Sequence, residues 1–243
     1  MRLCKWEELP GNMRLDEVRP YWEILNRKKF SLICKRAFDI VASSLLLVIL
    51  SPLFLILAIA IKADSKGPVF YRQERVTQYG RVFRIHKFRS MVQGADKRGS
   101  LVTVNNDSRV TKVGQFIRKY RLDEISQLID VLVGDMTFVG VRPEVPKYVS
   151  EYSSEMLATL LLPAGVTNLT CIYYAGEAEL LNNVANADTA YIDEVLPDKM
   201  KWNLRGILQF SPWNDIKLMF MTFFAMCGKH YDSKENEKIE LIG

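Results

Sequence analysis

The sequence predicts an α+β fold, predominantly helical, with a few short strands and a membrane-associated segment. Three observations carry this reading. A long uncharged apolar run from Ile40 to Ile61 is interrupted at Ser51-Pro52, a block of short alternating runs follows it, and from Thr111 the apolar residues recur with the period of a helix. With 243 residues, 49% of them hydrophobic and 25% charged, the chain can bury a sizeable core, which excludes disordered and low-complexity classes. Cys4, Cys34, Cys171 and Cys227 lack metal-ligand spacing and read as free thiols in a reducing compartment.

Residues 1–34 combine mixed charge with Trp6, Tyr21, Trp22 and Phe30. The stretch YWEILNRKKF fits a helix lying on an anionic membrane surface, and equally a helix packed on the body of the protein. The run IVASSLLLVILSPLFLILAIAI is long enough to cross a hydrocarbon core of about 30 Å. It starts too far into the chain, and lacks the small-residue cleavage site, to be a signal peptide. Pro52 removes one backbone N–H and collides with the Val48 carbonyl, so the helix must kink or break, and the Ser51 hydroxyl is the nearest internal partner for the freed groups. Basic residues stand at both ends: Arg27, Lys28, Lys29, Lys35 and Arg36 before, and Lys62, Lys66, Arg72 and Arg75 after. A single crossing would leave one flank depleted. Two half-helices of about eleven residues, each reaching roughly 16 Å, can instead dip to the midplane and return. A proline-kinked transmembrane helix is the competing reading.

GPVFYRQERV, GRVFRIHKF and LVTVNNDSRV then read as brief strands and loops. From Thr111, residues Phe116, Ile117, Tyr120, Ile125, Leu128, Ile129 and Leu132 form one apolar helix face that Gly134 ends. Residues 144–162 and 176–205 read as mostly helical, with a turn at Leu162-Pro163-Ala164-Gly165. The apolar stretch 216–227 is too short to span and reads as a core or interfacial helix. The closing KENEKIELIG reads as a solvated tail.

Nucleotide-loop, dinucleotide, zinc-protease and serine-hydrolase signatures are all missing from the sequence, and two histidines, His86 and His230, cannot form a metal cluster alone. Acidic neighbours recur at Glu7-Glu8, Asp16-Glu17 and Asp193-Glu194, which look like solvated surface. Asp123-Glu124 differs because Arg118, Lys119 and Arg121 precede it closely and Arg142 follows the helix. Nearby cations keep a carboxylate ionised. An ionised carboxylate can attack phosphorus, and a second can hold Mg2+ together with substrate phosphates. A purely structural ion-pair cluster is the competing reading.

Taken in order, KRAFDIV, the Ser-Pro-broken helix, GPVFYRQERV, FRIHKFRSM, RLDEISQLIDVLVGDMTFVGVRPE and DIKLMFMT resemble the bacterial monotopic phosphoglycosyl transferases, over about residues 35–228. The resemblance implies a re-entrant membrane helix broken at Ser51 and Pro52, and transfer of a phosphosugar from a UDP-sugar to polyprenyl (undecaprenyl) phosphate with release of UMP. It assigns Asp123 as the nucleophile of a ping-pong reaction, Glu124 as the Mg2+ ligand, and Lys87, Arg118 and Arg142 as substrate-binding cations. Expected partners are the two substrates and membrane lipids, with a homodimer and downstream glycosyltransferases as further candidates and no nucleic acid. The implied organisation is an N-terminal extension (1–34), a re-entrant anchor (35–63), a sugar transferase domain on the cytoplasmic face of the bacterial inner membrane (64–228) and a polar tail (229–243). Three positions depart from the family pattern: Val141 replaces a proline, the turn at Pro163 lacks an arginine, and Asn203 stands where an acid is expected. A membrane-anchored, non-catalytic scaffold of the same fold is the alternative that these departures leave open.

Overall fold

The computed structural model describes residues 1, 3–95, 107–173 and 187–226. Expectations for residues 101–106, 176–186 and the tail 229–243, with Cys227 and His230, lie outside them. Helix α1 (Arg19–Arg27) leads through Lys28 into α2 (Lys29–Ile49), and α3 (Ser51–Asp64) follows after Leu50. The N-terminal segment packs on the body: Leu9, Met13, Val18, Leu25 and Leu32 join Leu161, Leu204, Ile207 and Phe210 in one buried cluster.

α2 and α3 meet at 61°. Pro52 occupies the first turn of α3, where its missing N–H costs least. The Ser51 hydroxyl donates to the Val48 carbonyl at 2.8 Å, capping the acceptor that proline leaves unserved. Among the described residues no single helix is long and apolar enough to cross a membrane, although the bent pair passes that test together. Val41, Leu45, Val48, Leu55, Ile56 and Ile59 stay exposed along the pair.

Two arginines join this hairpin to the body. Arg36 on α2 donates to the carbonyls of Val131 and Leu132 at 2.6 and 2.8 Å. The buried Arg89 reaches the carbonyls of Ser65 and Lys66, both at 2.7 Å, just past the end of α3. Cations suit helix C-termini because the last carbonyls are unpaired and carry the negative end of the helix dipole.

The brief strands expected here are β1 (Phe70–Val76) and β2 (Val82–Phe88), and the structure pairs them as an antiparallel hairpin. The helix expected from Thr111 to Gly134 is not continuous. α4 (Lys112–Lys119) ends in a turn where Arg121 adopts φ 55°, a short 3-10 turn covers Ile125–Gln127, and α5 (Leu128–Val133) follows. Phe116 and Tyr120, placed on the buried face by periodicity, are exposed, because the break rotates α4 relative to α5. Gly134 does end α5, at φ 97°.

A second correction concerns residues 162–165. Ala164–Thr167 is strand β4, paired in parallel with β3 (Met136–Val139) in the register Met136↔Ala164 and Val139↔Thr167. Between them lies only a short helix α6 (Pro146–Val149) and a 3-10 segment Met156–Leu161, less helix than expected for 144–162. Glycine is required where β4 passes the chain leaving β3: a Cβ on Gly165 would stand 2.0 Å from the Gly140 carbonyl oxygen. The last described elements are α7 (Leu169–Tyr173), α8 (Ala187–Ala190), α9 (Leu196–Leu208) and α10 (Pro212–Met226). α10 exposes Trp213, Phe220, Phe223 and Phe224. Cys4, Cys34 and Cys171 are free thiols.

Candidate active site

The left-handed Arg121 turns the chain back so that Asp123 and Glu124 sit in a tight bend rather than on a helix face. Leu122 N–H donates to the Ile117 carbonyl at 2.9 Å, closing the turn. The bend is sewn to the end of β2: Phe88 N–H donates to the Asp123 carbonyl at 3.0 Å, and the Ser126 hydroxyl donates to the His86 carbonyl at 3.0 Å. β2 thus presents the Lys87 side chain to the acidic pair.

Glu124 is the electrostatic hub. Its carboxylate accepts from Lys87 at 3.2 Å and is forked by both terminal nitrogens of Arg142, one at 3.3 Å and one in a shorter bond. Only 16% of the Glu124 side chain is exposed. Burial pushes its carboxyl up, but Arg142 and then Lys87 outweigh this and hold it far below the usual carboxylate range. Arg142 is raised in turn, chiefly by Glu124. Lys87 is lowered, first by burial and then by Arg142, against the pull of Glu124.

Asp123 behaves differently. Its carboxylate has no side-chain partner within ion-pair distance among the described residues. Burial raises its carboxyl, and the attraction of Lys87 and Arg118 does not cancel burial plus the charge of Glu124. Nearby cations alone predict an easily ionised acid at both positions, so burial reverses that expectation at Asp123. Arg118, half-buried at the end of α4, lies near enough to attract Asp123 without pairing with it.

Arg142 follows Gly140-Val141 at the exit of β3. The carbonyls on either side of it are pinned, Val141 by Gly165 N–H at 2.7 Å and Pro143 by the Arg75 guanidinium at 3.0 Å. Hydrogen bonds therefore hold the segment that Val141 leaves without a proline ring. Asn203 is buried and accepts from the Asn168 amide at 2.9 Å, bracing the start of α7.

Several contributors escaped sequence reading. Arg75 lies close enough to repel Lys87 and Arg142, and its buried Nε has no partner among the described residues. Its signal was the strand period, which places Tyr71, Gln73 and Arg75 on one face of β1. Asp130 accepts from His86 N–H at 2.8 Å and pairs with its Nδ1 at 2.6 Å, so His86 braces β2. Tyr191 donates to Glu144 at 2.5 Å, and Lys199 donates to Tyr191 at 3.0 Å, behind the Arg142 segment.

Among the described residues no group of three or more His, Cys, Asp or Glu side chains could cage a metal by itself. The donor set still fits Mg2+, which takes one or two carboxylates and completes its shell with water and substrate phosphates. A pair of carboxylates set among cations, one ion-paired and one without a side-chain ion-pair partner among the described residues, suits chemistry at phosphate groups. Residues 30–229 match the family described as bacterial sugar transferase, and the chain belongs to that family. It is 35% identical over 198 residues to a UDP-glucose:undecaprenyl-phosphate glucose-1-phosphate transferase of Klebsiella pneumoniae, a match covering 80% of this chain and 40% of that one. It is 34% identical to a UDP-N-acetylgalactosamine-undecaprenyl-phosphate N-acetylgalactosaminephosphotransferase of Aeromonas hydrophila, covering 89% and 49%. With the exopolysaccharide production protein ExoY of Rhizobium meliloti it shares 32% identity, covering 79% and 85%. The chain thus spans less than half the length of the first two.

Proposed function

We propose that this protein transfers a sugar 1-phosphate from a UDP-sugar to polyprenyl phosphate, releasing UMP and initiating assembly of an exopolysaccharide, capsule, O-antigen or protein-linked glycan. The observation that carries the reading is the division of labour within the acidic pair: Glu124 is bound by Arg142 and Lys87, while Asp123 has no side-chain ion-pair partner among the described residues. Asp123, raised by burial, is the more basic carboxylate, and basicity favours nucleophilic attack once the group is ionised.

An Asp123 carboxylate oxygen attacks the β-phosphorus of the UDP-sugar, the bond from that phosphorus to the bridging oxygen breaks, and UMP departs with the electron pair. A phosphate oxygen of the lipid then attacks the same phosphorus and displaces Asp123. Lys87, Arg142 and Arg118 offset the negative charge that two anionic substrates bring together. Glu124, with phosphate oxygens of the nucleotide, would hold Mg2+, which supplies further charge neutralisation when bound. The exposed apolar α2–α3 hairpin would enter and leave the cytoplasmic face of the inner membrane on one side, placing the site where a lipid phosphate arrives. The relatives' names and the basic flanks of the hairpin support this placement.

The test incubates purified protein with Mg2+, polyprenyl phosphate and a panel of UDP-sugars and follows UMP. One sugar should yield UMP in a reaction that Asp123→Asn abolishes. No release with any sugar, or equal release by Asp123→Asn, would leave the scaffold reading in its place.

A further inference from the structure

α9 and α10 enclose, with the end of β3, a cavity of about 600 Å³, within the range of small-molecule sites. Its walls are mostly apolar and include Trp202, Leu218, Phe220 and Phe224. Gly206, within the last turn of α9, also lines it. Glycine inside a helix costs about 0.5–1 kcal/mol relative to alanine, so it usually answers a backbone or packing need. Neither applies here. Gly206 does not have a left-handed φ, and apart from its chain neighbours and the backbone of its own helix no heavy atom of the described residues lies within 4 Å of where its Cβ would stand. A side chain at position 206 would therefore meet no neighbouring part of the fold.

The cavity also has direction. Val141, which lines it, is the residue before Arg142, so one wall leads directly to the cation that grips Glu124. Phe220 and Phe224 line it too, and they are 62% and 49% exposed on the outer face of α10. An occupant can therefore reach from an exposed aromatic face to the vicinity of the acidic pair. Two charged residues stand on its wall, Asp215, which is paired with Lys35 at 2.5 Å, and Lys217. A nucleotide would place polar groups against these apolar walls at a desolvation cost, whereas a hydrocarbon chain is favoured there.

We propose that this cavity receives the polyprenyl chain of the lipid acceptor, with Gly206 keeping it open. The assignment rests on the transferase reading and adds to it where the lipid tail lies. Alanine, leucine and phenylalanine at position 206 fill the space stepwise. With the UDP-sugar that the parent uses, Gly206→Ala, Gly206→Leu and Gly206→Phe should raise KM for undecaprenyl phosphate progressively, by about tenfold or more at phenylalanine, while KM for the UDP-sugar stays within twofold, roughly the scatter of a peripheral change. A photoactivatable polyprenyl phosphate analogue should label α9 or α10 in the parent and lose that labelling in Gly206→Phe. Thermal melting establishes that each variant is folded, and Gly206→Leu decides the matter if Gly206→Phe is not. An unchanged acceptor KM and unchanged labelling overturn the assignment, as does a rise confined to the UDP-sugar KM, which would place the nucleotide here. A parent that releases no UMP sinks the transferase reading instead, and the labelling still reports on the cavity.

Discussion

The Lys87 ammonium lies 3.2 Å from the Glu124 carboxylate, at the end of a strand that also holds the Asp123 backbone. Glu124→Gln keeps the shape and removes the charge, leaving Lys87 and Arg142 facing each other. Activity should fall by about two to three orders of magnitude, the usual scale for losing a preorganised electrostatic contact. Stability should fall by about 2 kcal/mol, less than the ~3–5 of a fully buried pair because Arg142 remains partly solvated. Steady-state kinetics and chemical denaturation measure the two effects.

Acid titration should separate parent from variant further. A carboxyl depressed on folding contributes stability that is fully present above its unfolded pKa and lost as pH falls toward the folded one. Glu124 is depressed from an ordinary 4.5. The parent's margin over Glu124→Gln should therefore hold from pH 7 down to about 4.5 and shrink below it. A margin that grew on acidification would contradict the ion pairing.

Arg75 is expected to act through Arg142, by holding the Pro143 carbonyl. Arg75→Ala should lower kcat about tenfold, with a smaller change in the UDP-sugar KM, and Arg75→Lys should recover part of the loss because an ammonium can still reach that carbonyl. Equal losses in both variants, accompanied by equal losses of melting temperature, would mark Arg75 as structural only.

Gly134 stands at φ 97°, and a Cβ there would come 3.1 Å from the Arg36 guanidinium. Gly134→Ala should cost about 1–2 kcal/mol through backbone strain alone, and more if Arg36 is displaced. For a chain of this size that lowers the melting temperature by about 2–8 °C.

Local chemistry made some of this legible in sequence. Ser51-Pro52 announces a helix break because proline cannot donate, and Gly134 announces a helix end because α5 needs a left-handed cap there. The strands β1 and β2 follow from their alternation, and their pairing is seen only in the structure. The break at Arg121 has no such marker: arginine rarely takes φ 55°, and the turn depends on Leu122 bonding back to Ile117 and on β2 receiving Asp123. Strands β3 and β4 were hidden for a different reason. Each has four residues, β3 is buried throughout, and Pro163-Ala164-Gly165 carries a turn signature whose glycine is used for close approach to Gly140. Arg75 and Asp130 joined the site only through pairings made in three dimensions.

On the proposed membrane placement, the two arginine clamps on the apolar hairpin would set how high Asp123 stands above a bilayer. Arg89 holds the end of α3, and the residue before it, Phe88, holds the backbone of Asp123. Between the last turn of the hairpin and the Asp123 backbone there is thus almost no slack. A hairpin seated in lipid would act as a depth gauge, setting Asp123 at one altitude over the headgroups. Loosening Arg89 would leave each binding contact intact yet let that altitude drift, so that an acceptor phosphate, itself confined to one plane, would meet the proposed nucleophile less often.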